Sequence, residues 1–369
     1  MNKRISRTCA LLLVLAVLAP LSGCAIADEL ESLGIVAGAA LDYDEQGNTM
    51  LTVEVINASS RESNSSPESS VFTAVGESLA IANEKLLTLV GRPLYWAHAA
   101  LFLISRDVAR EGIGELIQYI MRNDEIRIAI PIFLADTPTA KEMFDAQQPA
   151  YSILSFGLRD TVNAAKDNSM CVDMPTYDIY DDMCSPSRFG VVPVIQMVKE
   201  GDAALLQPTG SAVFSDFKLV GELDDKQTVY YIMSQDMLKK GVLIDDDFSY
   251  EIKESKTDVK VVEADGKIEF NYDIHLELSL VHSRRQASKD EQLELIHKDM
   301  FQHFEELAQI YFEQIDADFL GLANIYRVQE NRQYKQMEDP HKTVKEHAVI
   351  IIRPIIEILS YGQAEGAQT

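Results

Sequence analysis

Apolar and polar positions change rhythm several times along the chain, and each change marks an element. Residues 33–41 are nearly all apolar, "DEQGN" interrupts them, and Leu51, Val53 and Val55 then alternate with polar neighbours. That order predicts two strands around a hairpin turn. Val75, Leu79, Ala82, Leu86 and Leu89 recur three or four apart, with Gly91 placed to end them, which predicts a helix over 71–89. "YWAHAALFLIS" and "IRIAIPIFLA" are continuous apolar runs that predict buried strands. Between them "RDVAREGIGELIQYIMRN" has helical spacing broken by two glycines. Residues 190–208 read as a connector with a short apolar patch. "GSAVFSDFKLVGELDDKQTVYYIMSQDMLKKGVLI" then reads as two strands joined at "DD", a helix and a third strand.

From about Tyr250 the pattern becomes simpler. Ile268, Phe270, Tyr272, Ile274, Leu276, Leu278 and Leu280 alternate after an Asp-Gly turn, the mark of a β-hairpin. The strongest helix follows, about Lys289 to Ile315, on a stripe that includes Leu293, Ile296, Met300, Phe304, Leu307 and Tyr311. "HAVIIIRPIIEIL" closes the series as a strand whose Pro354 requires a bulge or an edge position. The expected fold class is α+β, as three mixed α/β domains, each a small sheet with packed helices. Their expected extents are 24–200 (N-terminal α/β), 201–250 (a small middle β/α module) and 251–369 (hairpin, long helix, final strand).

Residues 1–23 have a different character. Lys3, Arg4 and Arg7 precede "TCALLLVLAVLAPL", fourteen residues without a charge, and then Leu21-Ser22-Gly23-Cys24. A basic head, a short apolar core and small residues form the layout of a secretory leader, too short for a comfortable membrane span of roughly 20 residues. The last four match a bacterial lipobox, in which the thiol of Cys24 receives the lipid and becomes the new N-terminus. Removal of 23 residues leaves 346, and takes away three of the 33 basic side chains and none of the 58 acidic ones, so the charge moves from −25 to −28. A body that acidic has no electrostatic footprint for nucleic acid. Anionic headgroups also repel it, so membrane attachment is expected from the lipid and not from the overall field. The 47% hydrophobic content is enough for packed cores.

Chemistry-bearing constellations are sparse. No G-x-S-x-G, G-x4-G-K-[ST] or H-E-x-x-H occurs, and the seven histidines are scattered. Asp42, Asp44, Gln46 and Gly47 resemble the opening of a calcium loop, but its twelfth position, where a bidentate Glu is required, is Val53. Arg92 and His98 flank Trp96, which reads better as the cap of a core strand than as an anion site. His297 and His303 lie six apart, the wrong spacing for two ligands on adjacent helical turns. Cys171 and Cys184 flank a polar Pro/Asp/Tyr loop in a segment expected outside the reducing cytosol. A bridge there would stabilise by about 3 kcal/mol, and two free thiols are the alternative. No catalytic residue, metal site or cofactor is assigned.

Four stretches resemble the C-subunit lipoproteins of spore germinant receptors, the Ger(x)C or GerAC-like family. They are "LSGCAIADELESLGIVAGAALDYDEQGNTMLTVEVIN", "GRPLYWAHAALFLISRDVAREGIGELIQYIMRNDEIRIAIPIFLA", "FSDFKLVGELDDKQTVYYI", and the final hairpin, helix with "IDADFLGL" and strand. One departure is Ala25-Ile26, where the family commonly has Trp-Asp after the lipidated cysteine. The resemblance implies a non-enzymatic body tethered through Cys24 to the outer face of the spore's inner membrane. Its implied partners are the integral membrane subunits of the same receptor, with no small-molecule ligand assigned. Two other classes stay open: a solute-binding lipoprotein, which would show two similar lobes, and a cell-envelope hydrolase.

Overall fold

The structure is a computed structural model that describes residues 32–57, 68–146, 151–201, 203–244 and 247–360. Its first sheet begins with a meander. β1 (Gly34–Tyr43), β2 (Thr49–Ile56) and β3 (Ser69–Gly76) pair antiparallel in sequence order. The β1–β2 turn is the predicted one: the Asp44 carboxylate accepts from the Gln46 and Asn48 backbone N–H groups at 2.9 and 2.8 Å. The expected helix over 71–89 is half strand. Val71, Thr73 and Val75 pair along β2, and α1 (Leu79–Val90) starts only after Ser78, whose hydroxyl accepts from Ile81 N–H. Branched residues beside a ready strand edge favour the ladder over the helix.

The parallel part follows. β4 (Leu94–Tyr95) and β5 (Phe102–Ile104) run parallel to β1, and β6 (Ile132–Ala135) parallel to β5. α2 (Arg106–Glu111) and α3 (Gly114–Arg122) supply the crossover between β5 and β6. Phe102 and Ile104 face one core while Leu103 faces another, so β5 is covered on both sides and reads as an unbroken apolar run. α1, α3 and α5 (Thr176–Cys184) pack on the first face, and α4 (Leu154–Asp167) on the second.

The expected connector at 190–208 is instead a long antiparallel pair, β7 (Phe189–Glu200) and β8 (Ala203–Ser215). β7 runs parallel to β6, and β9 (Lys218–Leu223) closes the sheet at the far edge. Pro193 and Pro208 look like strand breakers in sequence, but they sit on either side of a bulge in which Val194 faces both Thr209 and Gly210.

Two sheets account for the described strands, not the three expected. The 201–250 stretch divides between them. β8 and β9 belong to the first sheet, while α6 (Asp225–Ser234) buries Tyr230, Tyr231, Ile232 and Met233 in the core of the second. The "DD" pair does not join strands. Asp224 caps α6 in a reciprocal box with Gln227.

The second sheet has the order β10 (Gly241–Ile244), β11 (Phe248–Ala264), β12 (Lys267–Ser283), β13 (Ala348–Ser360). The alternating residues of β12 pack on Ile296, Met300, Phe304 and Leu307 of α7 (Lys289–Gln309). β12 and β13 are parallel, so the chain crosses over through α7, α8 (Leu322–Gln329), α9 (Asn331–Tyr334) and α10 (Pro340–His347). Pro354 sits on the edge strand of the sheet, opposite Ile274 of β12. Val191, Val213 and Leu223 of the first sheet lie in the same core as α6 and α7, so the sheets share packing and are not joined by a bare linker.

Candidate functional site

Cys24 lies outside the described residues. The first strand begins ten residues later at Gly34, whose N–H donates to the Pro93 carbonyl at 2.8 Å. Trp96 is buried and stacks on Phe102 with centroids 5.7 Å apart, while Arg92 and His98 are exposed around it. The cluster anchors a core and offers no converging polar pocket.

The Cys171–Cys184 segment is not a loop. Its second half is α5, and the expected bridge is not formed: both thiols are free. Cys171 is buried against α4 and donates to the Val162 carbonyl at 3.6 Å; burial pushes its thiol up to about 12. Cys184 is exposed at the carboxyl end of α5. A maleimide reagent is therefore expected to modify Cys184 in the folded protein and Cys171 only after unfolding. Neither thiol labelling until a reductant is added would show instead that the two are bonded.

α5 also carries Asp178, Asp181 and Asp182. Burial, followed by Asp178 and Asp181, pushes the Asp182 carboxyl up to about 6. The folded chain then binds a proton more tightly than the unfolded one between about pH 4 and pH 6, so stability falls as pH rises through that window. A rise of this size corresponds to at most about 3 kcal/mol, and partial exposure reduces it to about 1 kcal/mol. Asp182→Asn is expected to recover that amount at pH 7 and almost nothing at pH 4. Urea unfolding at both pH values checks it, and an equal gain at each would remove the carboxyl from the account.

Buried carboxylates do other work. Glu54 accepts from the Leu154 and Ser155 N–H groups at 2.9 and 2.8 Å, at the start of α4. Asp42 accepts from Ala140 N–H and Lys141 N–H at 2.6 and 3.0 Å, at the start of a 3-10 helix over Ala140–Asp145. Asp318 accepts from Leu322 N–H and Ala323 N–H at 2.9 and 2.8 Å, and from the Tyr311 hydroxyl at 2.8 Å. Each places a negative charge on otherwise orphaned donors at the positive end of a helix. "IDADFLGL" is thus a turn whose Asp318 holds α8. Sequence reading missed Glu54 and Asp42 because their partners lie about 100 residues away in the chain, and alternation marks Glu54 as a solvent position; Asp318 has partners within seven residues, but its burial is not local.

A polar network joins α6 to α7. The Tyr230 hydroxyl donates to Asp299 at 2.7 Å, and Lys226 reaches the other Asp299 oxygen at 3.4 Å. The two ring nitrogens of His303 lie 3.1 Å from Asp299 and 2.8 Å from Glu306. Burial, then the Asp299 charge, raises the Tyr230 hydroxyl far above its ordinary range, so it remains a donor. These links lock the helices together, and every reactive atom in the set already has a partner. Among the described residues no three His, Cys, Asp or Glu side chains are grouped to hold a metal ion. Two broad grooves occur. One of about 480 Å³ lies between the β11–β12 turn and α9–α10, around Glu263, Lys267, Tyr326 and His347. The other, about 490 Å³, lies between α1 and α3, around Glu115, Tyr119 and Arg122. In the first, the Tyr326 hydroxyl donates to Glu263, and a ring nitrogen of His347 lies 2.9 Å from the Thr343 carbonyl. No described helix is long and apolar enough to cross a membrane.

Comparison with known proteins gives a concordant picture. A profile described as the spore germination protein N-terminal domain matches residues 27–197, and one described as spore germination B3/GerAC-like, C-terminal, matches 209–362. The boundary between them falls in the β7–β8 hairpin. Spore germination protein KC of Bacillus subtilis (strain 168) is 25% identical over 227 residues, 56% of this chain and 56% of that one. Spore germination protein B3 of the same organism is 25% identical over 274 residues, 69% of each chain. The chain therefore spans just over half of the first relative's length and about two thirds of the second's. The crystal structure of the GerBC protein superimposes with a TM-score of 0.58, covering 90% of this chain and 100% of that one at 17% identity, a likeness of fold. With both profiles matched in order over nearly the whole described body, the chain belongs to the GerAC family of spore germination proteins.

Proposed function

We propose that the chain is a lipid-anchored, non-enzymatic subunit of a nutrient germinant receptor. It works by assembling with the receptor's integral membrane subunits on the outer face of the spore's inner membrane. The observation that carries this is the ordered match of both germination profiles over 27–197 and 209–362, behind a Leu-Ser-Gly-Cys leader end. The polar network and the buried carboxylates support it, since they are spent on holding helices. A solute-binding lipoprotein would have two similar lobes, whereas the two sheets here differ in strand number and topology.

Tethering confines the body to a thin layer above the bilayer, which raises its effective concentration for a membrane partner. A diacylglyceryl group supplies two chains, enough for stable anchoring. Cys24→Ala is expected to abolish incorporation of a labelled fatty acid and to weaken the germination response, while the separately purified body keeps its unfolding midpoint. Label that persists in the variant would refute the anchor. Cross-linking in intact spores should capture the chain with integral receptor subunits. Turnover of an envelope substrate by the purified body, or unchanged responses to every nutrient on deletion, would refute the subunit reading.

A further inference from the structure

The first sheet has two unlike ends. β1, β5, β6 and β7 are parallel, so their amino ends lie together, and α1 and α3, which lead back to β4 and β6, finish at that same end. α1 and α3 pack on one face of the sheet in a single core, and α1 begins where Leu79 N–H donates to Glu115 of α3. Their carboxyl ends therefore point the same way.

That end carries exposed apolar side chains that the core does not need. α1 buries Leu79, Ala82 and Leu86, leaving Leu87 and Leu89 on its flanks, 38% and 55% exposed. Met121 at the end of α3 is 37% exposed, and Ile128 on the way to β6 is 47% exposed. Among them lie the exposed Arg92, Arg122 and Arg127 beside Asp124 and Glu125; Arg127 also donates to the Ala99 carbonyl at 3.3 Å, and the chain that leads to Gly34 carries Asp28, Glu29 and Glu31. The chain also enters here, because Gly34 opens β1 beside Pro93. Ten Cα steps from Cys24 to Gly34 reach at most about 35 Å.

We propose that the amino end of the first sheet, centred on Leu87 and Leu89, rests on the phospholipid bilayer. The leucines enter the boundary between headgroups and acyl chains, on the side from which the tethered chain arrives. The proposal rests on Cys24 being lipidated, and it adds an orientation: the β1–β2 turn at Gln46, at the opposite end of the ten-residue strand and about 33 Å away, points from the membrane.

The test uses the lipidated full chain in phosphatidylethanolamine/phosphatidylglycerol vesicles, with Cys184→Ser and one reporter cysteine bearing an environment-sensitive dye. Reporters are Leu89→Cys, Leu87→Cys as a second site, and Gln46→Cys as the distal control; flotation with the vesicles establishes anchoring. Doxyl-labelled lipids are expected to quench the dye at 89 and 87 at least about twofold more than at 46. Flotation with equal, weak quenching at all three sites overturns the surface and leaves the anchor standing. Failure to float overturns the anchor and the surface with it. A change in the dye at 89 that appears only with co-reconstituted integral subunits and without doxyl quenching assigns the patch to a protein partner and overturns the proposal.

Discussion

Replacing Asp318 with Ala is expected to destabilise the folded chain by about 3 kcal/mol or more, the cost of leaving three buried neutral donors without an acceptor. Its carboxylate is 1% exposed and accepts from Leu322 N–H, Ala323 N–H and the Tyr311 hydroxyl, all within 2.9 Å. Alanine leaves three donors with no acceptor and no route to water. Asp318→Asn keeps the shape and one acceptor, so about half the loss is expected. Two readouts localise the effect. The single tryptophan, Trp96, reports the first sheet, and far-ultraviolet circular dichroism reports both. Because Val191, Val213 and Leu223 share the core of α6 and α7, the two signals should shift together in urea. A loss below about 1 kcal/mol would show that water had taken the carboxylate's place. A shift in dichroism alone would show that the shared core does not couple the sheets.

Gly210→Ala is expected to cost about 3 kcal/mol or more. Gly210 occupies the bulge of β8 at φ +59°, and an added Cβ would stand 2.2 Å from the Leu223 backbone carbonyl. Its N–H also donates to Asp225 at 2.6 Å, so the bulge presses the first sheet against the start of α6. Gly47 is the matched control. It has φ +81° in the β1–β2 turn, but nothing lies within 4 Å of an added Cβ. Gly47→Ala should therefore cost only the backbone strain, about 1 kcal/mol. The difference between the two variants measures the close approach, and equal costs would remove it from the argument.

The hairpins at Asp44–Asn48 and Asp265-Gly266, the two-sided strand at β5, α7 and the edge position of Pro354 are all legible along the chain. Each depends on neighbours within about a dozen residues, where periodicity, turn chemistry and capping act. Tertiary structure decided the rest. Val71 to Gly76 became strand because β2 offered an edge, and residues 190–208 became the longest pair of the first sheet despite two prolines. The 201–250 stretch was divided between two sheets, and Cys171 was buried beneath α4 instead of bonded to Cys184. Asp42 and Glu54 hold helices that start about 100 residues downstream, and Asp318 acts only because the fold removes water around it. A carboxylate's role depends on which donors reach it and how far it lies from solvent, and neither quantity is local in the chain.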